Sequence, residues 1–84
     1  MDSEATRPMT FGERAVGFSF NPSADPQVHE CKKEFAAVID RLNTPRENEK
    51  ENSTPNSSEK IRMLSVAITD AQTAQMWAVK AITW

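Results

Sequence analysis

The residues of this sequence that are best suited to chemistry are aromatic rings and cations. Phe18 and Phe20 lie just before a segment that carries Lys32 and Lys33. Aromatic rings offer stacking surfaces for nucleobases, and lysine side chains neutralise phosphates. The ordinary alternative is that the phenylalanines belong to a core and that the lysines form a solvated edge. Spacing alone therefore predicts a surface that can bind an anion.

Arg62 and Thr69 form a second pair of candidate ligand-binding residues. They are seven residues apart, so a helix places them on one face, about two turns from each other. A guanidinium and a hydroxyl on one face can donate hydrogen bonds to the same ligand. The alternative is that Arg62 pairs with an acid such as Glu59 and that Thr69 only packs.

Catalysis and metal binding have little support in the sequence. On a helix the side chains of His29 and Cys31 diverge by about 200°, so they cannot form a local nucleophile–base pair. One cysteine and one histidine cannot supply the usual ligands of a zinc site, and no dinucleotide-binding, phosphate-loop or hydrolase fingerprint is present. We expect no enzyme, no metal and no other cofactor, with a site shared between subunits as the alternative.

Length and charge narrow the class of protein. The chain has 84 residues, one cysteine and a formal net charge of −2. It predicts one domain, and with no disulfide or metal available, a chain this short usually gains stability by oligomerising. The near-neutral charge argues against binding DNA or RNA polymers. Because the sequence has neither a long apolar run nor a secretory leader, we expect no membrane span and a reducing, cytosolic setting.

The composition changes along the chain and predicts four segments: 1–25, 26–42, 43–57 and 58–84. In the first segment, Thr10 and Glu13 fit a capping box for a short helix that runs through Val16 and ends at Gly17. The following residues, 18–22, read as an extended or turn segment.

The second segment predicts a helix over residues 26–42. Asp25 is a suitable N-cap and Pro26 suits the first helical position. An apolar stripe follows at helical spacing: Val28, Cys31, Phe35, Val38 and Leu42, with Ile39 beside them. Pro45 is expected to end the helix. Residues 43–57 contain no apolar side chain and predict a solvated linker, or alternatively a lid or partner-binding loop.

The last segment predicts a long helix over residues 58–84, with Asn56 as N-cap and Glu59 completing a capping box. Its apolar residues form two stripes. The first is Ile61, Leu64, Ile68, Ala71, Ala78 and Ile82, interrupted by Gln75; the second is Met63, Ala67, Ala74, Trp77, Ala81 and Trp84, interrupted by Asp70. One partner helix cannot cover both stripes. The sequence therefore predicts an all-α antiparallel helical hairpin, with a short N-terminal helix, that assembles into a homo-oligomer.

The same segments resemble a known family, the small phage anti-CBASS sponge proteins, whose helical-hairpin domain is shared with phage anti-Thoeris sponges. Gly17 and Phe18 stand where family members have Gly-Tyr, and Lys33 follows fifteen residues after the aromatic residue, as in the family. Residues 38–42 resemble the apolar end of the family's first helix. The resemblance to its second helix rests on Arg62, Thr69, Gln72, Met76, Lys80 and Ala81.

This resemblance implies a compact homohexamer that sequesters cyclic dinucleotides and trinucleotides in the cytoplasm of the infected bacterial host, without cleaving them. By that analogy, Phe18 contacts a base and Lys33 contacts phosphate in a dinucleotide pocket between protomers, to which Gly17 also belongs. Arg62 and Thr69 are the candidates for a separate trinucleotide pocket. Two features depart from the family pattern: Phe18 lacks the tyrosine hydroxyl, and the polar region 43–57 and residues 1–16 have no counterpart.

The alternative function is a small protein-interaction module. Met63, Trp77 and Trp84 are the kind of side chains that bind and inhibit a host protein when they are exposed. A stable monomer with exposed tryptophans would favour this alternative, whereas a closed oligomer would favour the sponge.

Overall fold

The computed structural model describes residues 7–84, and this part of the chain consists of three helices without strands. The helices are α1 (Phe11–Ala15), α2 (Pro26–Glu51) and α3 (Ser57–Ile82). Residues 52–56 connect α2 to α3, and the two long helices pack against each other. A connection this short makes them antiparallel. The predicted all-α helical hairpin is therefore confirmed, and within residues 7–84 no helix is long and apolar enough to cross a membrane.

The predicted capping box of α1 is confirmed. The backbone N–H of Glu13 donates to Thr10 Oγ1 at 3.1 Å, and that of Thr10 donates to Glu13 Oε1 at 2.9 Å. Val16 is the C-cap, and Gly17 follows with φ 61°. Hydrogen-bonded turns continue from there, so the turn alternative for residues 18–22 holds and the extended one does not.

Gly12 brings α1 very close to α2. Its backbone N–H donates to Asp40 Oδ1 at 2.7 Å, and a Cβ at this position would lie 2.1 Å from the carbonyl oxygen of Ala36. Only a residue without a side chain fits such a separation. α1 is therefore fixed on one side of α2 by a backbone contact.

The prediction that α2 ends near residue 42 and is followed by a polar loop over 43–57 is wrong. The helix continues through Pro45 to Glu51, and only residues 52–56 connect the hairpin. A proline removes one helical hydrogen bond, but side-chain bonds across and after it support the helix. Arg46 Nη2 donates to Asn43 Oδ1 at 2.9 Å and Arg46 Nη1 donates to Ser65 Oγ of α3 at 3.1 Å.

The buried side of α2 also differs from the predicted stripe. Val28 and Ile39 are buried as expected, but Val38 is 48% exposed, while Lys32 and Ala36 are buried instead. The physical reason is the short N-terminal segment: it packs beside α2 and covers a small residue and a lysine stem that the apolar spacing does not mark. The buried side is rotated away from Val38 toward α1.

The first stripe of α3 faces α2, as predicted. Ile68 is buried with Ile39, Ala36 and Val16 in the core, and partly buried side chains surround them: Phe11, Ala15, Phe18, Phe35, Leu42 and Ala71. Gln75, the polar interruption of that stripe, is also buried. The small core therefore joins all three helices through a few branched side chains.

The predicted capping box of α3 is wrong in its hydrogen bonds. Asn56 is the N-cap, but its side chain makes no capping bond, and Glu59 binds Arg62 instead. Ser57 makes the hydrogen bonds that hold this end of the hairpin. Its hydroxyl donates to Glu49 Oε1 at 2.8 Å and accepts a hydrogen bond from the Thr54 N–H at 2.6 Å. A hydrogen bond from α3 to α2 therefore replaces the predicted cap within α3.

The second stripe of α3 is exposed except at Ala67, which is half-buried, and together with Val38 it forms an apolar side of the hairpin that is open to solvent. We call Val38, Met63, Ala67 and Ala74 the open face. Gln72 Nε2 donates to the Ala15 carbonyl of α1 at 3.4 Å, and Ala74 lies about 160° round α3 from Gln72. The open face is thus opposite α1, and no described residue covers it: Val38 is 48% and Met63 52% exposed.

Candidate anion-binding site

The turn after α1 places Phe18 at the surface. Gly17 adopts φ 61°, a left-handed conformation that glycine adopts with the least strain. The Phe18 N–H donates to the Glu13 carbonyl at 2.9 Å, and the Phe20 N–H donates to the Gly17 carbonyl at 2.9 Å. These bonds fix the backbone on both sides of Phe18.

Phe18 packs against the first turns of α2. Its ring centroid lies 5.0 Å from that of His29, with the rings tilted by 46°. Phe18 and His29 line a cleft of ≈ 650 Å³, together with Asn21 and Glu30 among others. The Phe18 ring is half-buried, so it packs against the protein and still leaves part of its surface accessible to a ligand.

Lys33 lies on the same face of α2 as the Phe18 contact. It follows His29 by four residues, which places the two side chains one turn apart on one side of the helix. Lys33 is exposed, and within residues 7–84 no acid forms an ion pair with it. The predicted dinucleotide residues thus share one side of the hairpin, but no contact joins Lys33 to the turn.

Lys32, rather than Lys33, holds the turn. Its side chain is buried, and its Nζ donates to the carbonyl oxygens of Gly17, at 2.9 Å, and Phe20. The same atom lies 5.4 Å from the centroid of the Phe20 ring. Sequence reasoning missed this role, although one signal was present: Lys32 is four residues from both Val28 and Ala36, on the buried face.

Arg62 and Thr69 are both exposed on α3, and the structure does not bring them to the turn. Arg62 Nη2 lies 2.6 Å from Glu59 Oε1, and the hydrogen bond from Arg62 lowers the pKa of the Glu59 carboxyl. The two side chains are 62% and 58% exposed, so the pair contributes little stability. Arg46 is a further cation that the sequence did not mark. It donates a hydrogen bond to Ser65, which lies between Arg62 and Thr69 in the sequence of α3.

The sequence matches the family model described as Acb2/Tad1, hairpin domain, over residues 13–83. The chain belongs to this family. It is the anti-CBASS/anti-Thoeris sponge family, so the resemblance inferred from the sequence is confirmed. Neither a curated protein nor a solved structure matches the chain significantly. The matched range contains the turn, all of α2 and α3, and every residue considered above as a ligand contact.

Members of the Acb2/Tad1 family are binding sponges of phages rather than enzymes. Cys31, the one cysteine of the chain, lies in α2 and is half-buried. Burial, with the nearby Glu34 carboxylate, raises the pKa of the Cys31 thiol, so the reactive thiolate is scarce at neutral pH. Within residues 7–84, no group of three or more His, Cys, Asp or Glu residues could hold a metal ion.

An ion pair anchors the N-terminal side of the cleft. Arg7 donates two hydrogen bonds to Glu13, of 2.9 and 2.7 Å, while the Glu13 side chain is 12% exposed. The hydrogen bonds from Arg7 and from the Thr10 backbone lower the pKa of Glu13 from 4.5 to about 2. Charged Glu13 is therefore bound more tightly in the folded chain than the neutral acid.

We expect this pair to make the protein less stable in acid. The unfolded chain protonates Glu13 near pH 4.5 and the folded chain near pH 2, so its stabilising contribution is complete above pH 4.5 and is lost as the pH falls toward 2. Urea unfolding followed by circular dichroism between pH 7 and pH 2 measures the loss. In Glu13→Gln the midpoint should be lower at pH 7 and should change less over this range; an identical pH dependence would contradict the assignment.

Proposed function

We propose that this chain sequesters cyclic dinucleotides and cyclic trinucleotides, such as cyclic GMP-AMP and cyclic tri-AMP, without cleaving them. In the cytoplasm of an infected bacterium, this would withhold the activating signal from CBASS effectors. The observation that carries the proposal is the family match over residues 13–83, because it covers the hairpin, the aromatic turn with the exposed Lys33 on the same side, and the exposed Arg62 of α3.

The dinucleotide contacts are assigned to Phe18 and Lys33. A nucleobase stacks on the exposed part of the Phe18 ring, and the Lys33 ammonium binds the phosphates. Gly17 allows the turn that presents the ring. Because Phe18 has no hydroxyl, the base contact consists of stacking alone, and phosphate binding carries more of the affinity.

The trinucleotide contacts are assigned to Arg62 and Thr69 of α3. Arg62 is paired with Glu59 in the single chain, and a phosphate takes the place of that carboxylate when ligand binds. The exchange costs little because both partners are exposed to solvent. The Thr69 hydroxyl lies about two turns further along the same face and donates to the same ligand.

The active form is assigned to a homo-oligomer, by the family resemblance a hexamer. The open face supports this assembly, because a second copy would cover apolar side chains that the hairpin leaves in water. Oligomer formation also brings residues of different copies together, as a pocket between protomers requires. Val38 and Met63 are then buried at the contact.

Calorimetry of the full chain with cyclic GMP-AMP and with cyclic tri-AMP tests the proposal. We expect saturable binding of both ligands, and we expect each ligand to be recovered intact after the complex is denatured. AMP serves as the control for weak binding of any nucleotide. If neither cyclic ligand binds at micromolar protein, the proposed function is refuted. A cleaved product would show that the protein is an enzyme instead.

Replacing Lys33 by alanine should weaken cyclic dinucleotide binding by about 1–3 kcal/mol, the scale of a hydrogen bond to a charged group. Lys50→Ala is the matched control, because Lys50 is an exposed lysine of the same helix and lies about 25 Å further along it. Titration calorimetry compares the two variants with the wild type. Equal affinities for Lys33→Ala and Lys50→Ala would remove Lys33 from the site.

A further inference from the structure

The backbone that carries Phe18 is held by a lysine to which the proposed function gives no role. Lys32 Nζ donates to the carbonyl oxygens of Gly17 and Phe20, and it also lies over the Phe20 ring. Phe18 lies between the two accepting carbonyls in sequence. Lys32 therefore fixes both ends of the short segment, residues 17–20, from which the Phe18 side chain projects.

Packing alone does not explain a lysine at this position. Lys32 is 5% exposed, and within residues 7–84 no carboxylate forms an ion pair with it. Taking an ammonium out of water is costly unless hydrogen bonds replace the lost hydration. A methionine would fill a similar volume without that cost. What lysine adds is a set of donors directed at the turn, so its use lies in holding residues 17–20.

A stacking platform binds best when its orientation is fixed before the ligand arrives, since ordering it later subtracts from the affinity. The Phe18 ring is restrained by His29, at 5.0 Å between centroids. Its backbone is restrained by Lys32 through the Gly17 and Phe20 carbonyls. The two restraints act on different parts of Phe18, and the loss of either leaves the ring held by fewer contacts.

We infer that Lys32 is a positioning residue of the dinucleotide site, which fixes the 17–20 turn so that Phe18 meets the base in a single orientation. The inference rests on the proposed function for its ligand. Lys32 itself touches no ligand in this assignment. Its neighbour Lys33 supplies the phosphate contact, so two successive lysines of α2 have different roles, one directed at the protein and one at solvent.

The first test compares Lys32→Met with Lys50→Met, an exposed lysine of the same helix, by titration with cyclic GMP-AMP and cyclic tri-AMP. We expect Lys32→Met to bind the dinucleotide about ten- to a hundredfold more weakly. Its trinucleotide affinity and both affinities of Lys50→Met should stay at the wild-type level. Wild-type dinucleotide affinity in Lys32→Met overturns the inference and leaves the proposed function intact.

A double variant separates positioning from general destabilisation. If Lys32 acts through Phe18, then adding Lys32→Met to Phe18→Ala should change dinucleotide affinity by less than about threefold, because the group it positions is already missing. A full additive loss overturns the inference. If Lys32→Met does not fold, Lys32→Gln takes its place. The glutamine side chain is one bond shorter than lysine, so its amide nitrogen does not reach the position of the ammonium group.

A readout without ligand separates this inference from the proposed function. The Phe20 N–H donates to the Gly17 carbonyl at 2.9 Å, beside the bond from Lys32. In Lys32→Met, hydrogen exchange of the Phe20 amide should be about tenfold faster, while amides of α3 are unchanged. Unchanged Phe20 exchange overturns the inference alone. If the wild type binds no cyclic dinucleotide, the proposed function fails, and the ligand role of Lys32 fails with it.

Discussion

Replacing Val38 by glutamate is expected to leave the protein as single chains of 9.4 kDa instead of the proposed oligomer. Val38 is 48% exposed in the hairpin, so an isolated chain tolerates the charge and keeps its fold. In the assembly, the same charge would be buried on the open face without a partner, which costs several kcal/mol at every interface. Light scattering coupled to size exclusion measures the mass, and circular dichroism verifies the helices.

Ala37→Glu is the matched control for this substitution. It adds the same charge at the adjacent exposed position, but about 100° away round the helix and off the open face. We expect Ala37→Glu to remain oligomeric. An oligomeric Val38→Glu would contradict the assignment of the open face as the interface. A monomeric wild type would favour the alternative function, a module that binds another protein through exposed Met63, Trp77 and Trp84.

Replacing Gly12 by alanine is expected to lower the free energy of unfolding by about 2–3 kcal/mol, toward the upper end of the range for overpacking. The added Cβ would lie 2.1 Å from the Ala36 carbonyl oxygen and 2.9 Å from Asp40 Cγ. A backbone oxygen cannot rotate away as a side chain does. α1 must therefore move off α2, and the 2.7 Å bond from the Gly12 N–H to Asp40 is lost with it.

Gly17→Ala provides the comparison, because the two glycines are required for different reasons. At Gly17 the added Cβ finds its nearest neighbours at 4.0 Å, but the backbone has φ 61°. We expect a smaller cost, about 1–2 kcal/mol for the left-handed conformation alone. Chemical denaturation of both variants measures the difference. A cost for Gly12→Ala no larger than that for Gly17→Ala would show that α1 is not held closely on α2.

Local signals allowed the helix starts to be predicted. The capping box of Thr10 and Glu13 and the pair Asp25 and Pro26 both begin helices where the sequence places them. Each signal is a short-range hydrogen bond or a fixed φ angle, so it needs no information from the rest of the chain. The first stripe of α3 was also predictable, since helical spacing alone directs it to one side.

The end of α2 was not predictable in the same way. Pro45 is an unfavourable residue inside a helix, and nothing local outweighs it decisively. The contacts that carry the helix past it include Arg46 with Ser65 and Lys60 with Glu49, at 3.1 and 3.7 Å, both across to α3. Such contacts depend on where α3 lies. They appear only once the hairpin has formed.

In the candidate site, too, local features could be predicted from the sequence and contacts between helices could not. Phe18 could be selected from the sequence as a stacking surface, and Gly17 through its resemblance to the Gly-Tyr of the family. The contact of Phe18 with His29 and the burial of Lys32 depend on how α1 packs on α2. Two adjacent lysines look alike in a sequence, and only the packing of the N-terminal segment determines which of them reaches the turn.

The connection at residues 52–56 would be the hinge of any movement between the two long helices. It joins α2 to α3 at one end only, so a small change in the angle between the helices moves their other ends by an amount that grows with distance from this hinge. His29 lies about 33 Å along α2 from the connection and Lys33 about 27 Å. The proposed dinucleotide contacts therefore lie near the far end of α2, where a change in this angle would displace the side chains most.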